Sequence, residues 1–109
     1  MGTKISAINE EHELHGQRFE WDRDKNLSNI EKHGVPFKEA ATVFDDDNAV
    51  LVDDGEHSID EDRFIIIGLS GSLRLLMVCH CYMSDGAVVR IISARKATKP
   101  EEKMYGGAK

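Results

Sequence analysis

The chain has 109 residues, 40% of them hydrophobic and 31% charged, a length that suits one domain. A chain of this size buries about two-thirds of its unfolded surface, so it can hold a core without metals or disulfides and has no room for a separate cofactor domain. The longest apolar runs, 64–67 and 75–79, fall short of the roughly 18 residues of a membrane span. Residues 1–17 lack the apolar centre of a signal peptide. The expectation is a soluble, cytoplasmic protein.

The net charge of −6 is unevenly spread: residues 1–62 carry 17 acids and 6 bases, a net of −11, and residues 63–109 carry 3 acids and 8 bases, a net of +5. A basic half is what a phosphate-binding surface needs. Taken alone, the split says no more than that exposed faces are charged.

Residues 1–17 are polar, with Glu10, Glu11, His12, Glu13 and His15 and little apolar periodicity, and read as a loosely ordered extension with at most one helical turn. At 18–22 the pattern changes: Phe19 and Trp21 alternate with Arg18 and Glu20, as in a short half-buried strand. Asp22 or Asp24 can cap a following helix, in which Leu27, Ile30 and the stem of Lys32 or His33 give partial helical spacing. Gly34 stops it. Val35-Pro36-Phe37 is a rigid connection, and a second helix is predicted over 37–44, with Ala40, Ala41, Val43 and Phe44 on its packed side.

A short strand is expected over 49–52, a turn at Asp53-Asp54-Gly55, and a polar loop over 56–62. Three longer strands follow over 63–69, 74–83 and 87–94, joined by hairpin-sized connections at 70–72 and 84–86. Their apolar character requires helices over one face. Thr98 is the expected N-cap of a closing helix, with Pro100 tolerated in its first turn. The whole reads as a small α+β domain: an antiparallel sheet of about four strands, two N-terminal helices and a C-terminal helix. Residues 106–109 read as a frayed tail.

Cys79 and Cys81 lie two apart in an apolar stretch, where a strand points both to one face; reduced, buried thiols are expected. His80 points the other way. No compact metal-ligand spacing is present. The glycines of 68–72 join two strands rather than a strand and a helix, so neither a phosphate loop nor a dinucleotide fingerprint is formed. No Gly-x-Ser-x-Gly motif occurs.

What remains is a set of cations and imidazoles: Lys25, Lys32, His33, His57, Arg63, His80, Arg90, Arg95 and Lys96. Arginine clamps phosphate through paired planar donors, and histidine can accept or donate a proton near neutral pH. Those two abilities suffice for RNA cleavage without a metal. Each residue also has a plainer role open to it. Arg63 can pair with Asp60 or Asp62, and His33 can simply end a helix whose dipole favours a cation there.

The strings themselves go further. Phe19-Glu20-Trp21-Asp22, Lys25, Asn29 and Lys32-His33-Gly34-Val35-Pro36-Phe37 with Glu39-Ala40-Ala41 form a first block; His57-Ser58, Glu61, Arg63-Phe64 and Ile67-Gly68 form a second. The third runs Arg90-Ile91-Ile92-Ser93-Ala94-Arg95-Lys96-Ala97-Thr98, followed by Glu102 and Tyr105. Together these resemble the BrnT family of bacterial toxins over about 18–105. The resemblance implies a RelE-like ribonuclease fold and the toxin of a type II toxin–antitoxin pair. Such a toxin cleaves RNA and arrests growth, and a ribbon-helix-helix antitoxin binds it. The complex represses its own operon, touching operator DNA through the antitoxin. No metal or organic cofactor is implied.

Carried onto this chain, the resemblance makes Arg63 and Arg95 candidates for phosphate or transition-state contacts, and His33, His57 and His80 candidates for general acid or base. Lys25, Lys32, Arg90, Lys96 and Tyr82 are candidates for substrate binding. The alternative is a non-catalytic module that acts only as a corepressor with its DNA-binding partner.

Overall fold

The computed structural model describes residues 8–53 and 63–106. In chain order these form β1 (Asn9–Leu14), β2 (Gln17–Asp22), α1 (Arg23–His33), α2 (Phe37–Thr42) continued by a 3₁₀ turn (Val43–Asp45), β3 (Val50–Asp53), β4 (Phe64–Leu69), β5 (Leu75–Met83), β6 (Val88–Lys96) and α3 (Lys99–Gly106). The strands make one sheet in the order β1-β2-β6-β5-β4-β3. Every neighbouring pair is antiparallel except β2 with β6, which run parallel over Arg18↔Val88 to Glu20↔Arg90.

The α+β class stands, but the expected sheet of about four antiparallel strands becomes six in a mixed sheet, and the two helices expected at the N-terminus follow a hairpin. Residues 9–14, expected to be loose, form an edge strand of the sheet. Their inward positions are mostly polar, which hid the period of two. Glu10 accepts a hydrogen bond from Trp21 Nε1 at 2.8 Å, His12 lies against the Phe19 and Trp21 rings, and Leu14 packs on the core. The β1–β2 turn places His15 and Gly16 at φ of 51° and 86°, the left-handed region that glycine enters freely. The turn at 53–55, the loop at 56–62 and the tail beyond 106 lie largely outside the described residues.

Local signals in α1 act as expected. Asp22 accepts from the backbone amides of Asp24 and Lys25, and Gly34 closes the helix at φ 70°, a cap and a left-handed stop. Its buried face differs from expectation: Leu27 is 56% and Ile30 38% exposed, while Asn29 is buried. The second helix ends at Thr42 and its last expected turn is 3₁₀, still burying Ala40, Ala41 and Val43. At α3, Thr98 and Glu101 form a capping box: Thr98 Oγ1 accepts from the Glu101 amide, and Glu101 Oε1 accepts from the Thr98 amide.

The main core lies between the sheet and the α1–α2 connection. Phe19, Trp21, Val35, Phe37, Ile66, Leu76, Val78, Val89 and Ile91 meet there with the small residues of α2. Gly68 is required by a close approach, since an added Cβ would lie 2.8 Å from Val43 Cγ1 and 2.9 Å from Ala49 Cβ. Cys79 and Cys81 are buried and form no disulfide with each other. No helix among the described residues is long and apolar enough to cross a membrane.

β2 pairs with only the first three residues of β6. Beyond them, α1 takes over the edge. The Asn29 amide donates to Ala94 O at 2.8 Å and accepts from Ala94 N at 3.1 Å, while also donating to Val35 O at 2.9 Å. A side chain thus replaces a neighbouring strand, and the seam between α1 and β6 is fixed by it.

Candidate functional site

Five residues of α1 at positions i, i+3, i+4, i+7 and i+8 face that seam: Lys25, Ser28, Asn29, Lys32 and His33. This is the spacing of one helical face. With Ile92 and Ser93 of β6 they line a pocket of about 290 Å³. An adjoining pocket of about 110 Å³ shares Lys25 and Ile92 with it and is further lined by Arg63, Cys81, Arg90 and Ile91. The two make one groove with three cations at one end and Lys32 and His33 at the other.

The strand register explains the cationic end. Arg90 pairs with Cys81 across β5 and β6, and Phe64 pairs with His80 across β4 and β5, so Arg63, one residue earlier, falls beside Cys81. Arg63, just ahead of β4, therefore meets Cys81 of β5 and Arg90 of β6 at one pocket. Lys25 reaches them from the first turns of α1. Arg90 is held from the other side: its Nη1 donates to Glu20 Oε2 at 2.6 Å and its Nη2 to Asn9 Oδ1 at 3.3 Å.

Arg95 is placed on the same strand but is engaged elsewhere. Its guanidinium forms a fork with Glu101, at 2.9 and 3.0 Å, and also donates to Lys96 O. That hydrogen-bonded pairing holds the Glu101 carboxyl below its ordinary range, against the opposing effect of burial, and ties α3 to β6. Lys96 is exposed at the far end of β6.

His80 and Tyr82 lie on the other side of β5 from Cys81, away from the groove. His80 is 0% exposed. Its ring meets Phe44, Phe64 and Tyr82, and its nitrogens lie 3.3 Å from Val78 O and from the Tyr82 hydroxyl. Burial pushes its pKa down to about 4 and raises that of Tyr82. A neutral imidazole sealed in an aromatic cluster does not reach an anion in the groove, and Tyr82, though partly exposed, lies on the same side of β5 as His80. His57 lies outside the described residues, as do Asp60 and Asp62.

Ser28 and Ser93, which the sequence analysis did not single out, line the groove. The signal for Ser28 was present, since the polar stripe 25-28-29-32-33 keeps helical spacing over two turns, whereas the apolar residues of α1 are only Leu27 and Ile30. Among the described residues, no three of His, Cys, Asp and Glu converge as a metal site would require.

The chain matches the profile of a family described as the ribonuclease toxin, BrnT, of type II toxin–antitoxin systems over residues 21–101. In fold it is similar to the Brucella abortus ribonuclease toxin, BrnT, known from a crystal structure at 1.1 Å resolution. The two share 25% sequence identity with a TM-score of 0.54 over 72% of this chain and 94% of that one. A comparison with curated protein sequences found no match.

Proposed function

The chain belongs to the BrnT family of type II toxin–antitoxin ribonuclease toxins, and from that premise we propose that it is a metal-independent endoribonuclease of RelE-like fold whose substrate phosphate is bound in the groove between α1 and β6. The observation that supports this reading is the convergence of Lys25, Arg63 and Arg90 on one small pocket that continues to Lys32 and His33. The donors come from α1, from the residue before β4 and from β6, and a phosphate offers all three an anionic partner with several acceptor oxygens.

In the proposed reaction a general base takes the proton of a ribose 2′-hydroxyl, and its oxygen bonds to the adjacent phosphorus. The bond from phosphorus to the 5′-oxygen breaks, and a general acid protonates that oxygen, leaving a 2′,3′-cyclic phosphate and a 5′-hydroxyl. The cations of the groove stabilise the extra negative charge of the transition state. His33 is the groove's imidazole and the proposed proton carrier, with His57 the second candidate. Arg95 serves from the rim once a ligand competes with Glu101 for it. Lys32 binds the backbone of the RNA, and Lys96 does so outside the groove.

The proposed partner is a ribbon-helix-helix antitoxin, which neutralises the toxin in a hetero-oligomer in the cytoplasm and carries it to operator DNA for autoregulation. Expression from a tightly repressed promoter, alone and together with the neighbouring gene, tests the reading. Growth arrest with RNA decay, relieved by the neighbour, is the expected outcome. Normal growth with folded protein would support the corepressor alternative and end the enzymatic reading.

A further inference from the structure

We propose that Glu20 is a positioning residue for Arg90, holding its guanidinium in the pocket it shares with Lys25 and Arg63; the inference rests on the phosphate-binding reading of that pocket. Glu20 and Arg90 are register partners at the parallel junction of β2 and β6. The pair spans 2.6 Å, with the arginine side chain 27% and the glutamate side chain 22% exposed. An ion pair so far withdrawn from water is held more firmly than the surface pairs that contribute almost nothing.

The geometry divides the guanidinium in two. One hydrogen on each terminal nitrogen is taken, by Glu20 and by Asn9, both from the side of the β1–β2 hairpin. A guanidinium has five N–H donors, so Nε–H and the remaining terminal hydrogens are left for an anion in the pocket. Neither Glu20 nor Asn9 lines that pocket; they act on it through Arg90. Without the carboxylate, the long Arg90 side chain keeps only the 3.3 Å contact to Asn9 and is no longer held in one orientation. Both clamp residues precede Trp21, where the family match begins, so the match does not assign them.

The test uses the full-length chain and a short single-stranded RNA. Glu20→Ala is expected to lower kcat about 10- to 100-fold with KM changed less than about 3-fold, because misplacing a charge-stabilising group costs catalysis more than affinity. Glu20→Gln, which keeps the size and an acceptor oxygen, is expected to recover part of the loss and guards against misfolding. In an Arg90→Ala background, Glu20→Ala is expected to change kcat less than about 2-fold. Equal losses in both backgrounds, or a gain in activity on removing Glu20, would overturn the proposal.

A second readout does not depend on cleavage. In ¹⁵N-labelled protein, restricted rotation of the Arg90 guanidinium is expected to give separate terminal-nitrogen signals that merge in Glu20→Ala. Signals already merged in the wild type would overturn the clamp. If the wild type cuts no RNA but this signature is present, the ribonuclease reading fails and the clamp stands.

Discussion

The two sides of β5 put similar-looking residues to different ends. On one side Leu76, Val78 and His80 point into the layer beneath the helices, where His80 is shut in by Phe44, Phe64 and Tyr82. On the other, Cys81 floors a pocket walled by Arg63, Arg90 and Lys25. The alternation of a strand separates an imidazole that must stay neutral from guanidinium groups that cannot lose their charge. Histidine between two cysteines looks like the more chemical residue. Its side of the sheet makes it the structural one.

The largest way to break this contrast is to empty the covered side. Phe37, fully buried against Trp21, replaced by Ala is expected to cost about 4 kcal/mol of stability, read from the shift in the urea midpoint at constant slope. Protonating His80 comes next. Its folded pKa of about 4 lies below the ordinary 6.5, so between those values the unfolded chain holds a proton that the folded chain refuses. Stability is therefore full above about pH 6.5 and falls as pH drops toward 4, by about 3 kcal/mol at the lower end. Urea titrations across that window should show the slope in the wild type and a clearly shallower one in His80→Phe; an unchanged slope in the variant would assign the effect to other groups.

Asn29→Ala leaves the Ala94 amide and carbonyl and the Val35 carbonyl without their partner, at an expected cost of about 2 kcal/mol, with amide exchange at Ala94 rising in step. The open side should respond least in stability. Arg63→Ala is expected to stay within about 1 kcal/mol of the wild type while lowering RNA cleavage on the order of 100-fold. Undiminished cleavage by the folded variant would remove Arg63 from the site.

Much of the frame was legible because its signals are local. Asp22, Gly34 and Thr98 mark helix ends by the hydrogen bonds they make, and the apolar runs of β4, β5 and β6 announce themselves. β1 was not legible, because its inward residues Glu10 and His12 gain their place from Trp21 and Phe19 rather than from being apolar. The pairing of β2 with β6 was equally hidden, since 70 residues separate Glu20 from Arg90 and no periodicity carries that information. The same holds for the site. Lys25, Lys32, Arg63 and Arg90 could be named as cations, but only the register of β4, β5 and β6 brings Arg63 and Arg90 to one pocket, and only that register sends Tyr82 and His80 away from it.

The junction of β2 with β6 also sets an order of events during synthesis. The first strand of the pair leaves the ribosome long before its parallel neighbour exists, and at about 5–20 residues per second the intervening chain takes several seconds to make. Until then Glu20 has no arginine to hold, the Asn29 amide has no strand edge to cap, and α1 has nothing to form a seam with. Pairings so distant in sequence form slowly. The groove is therefore among the last features of the molecule to appear, and a nascent chain carries the parts of the groove without the groove.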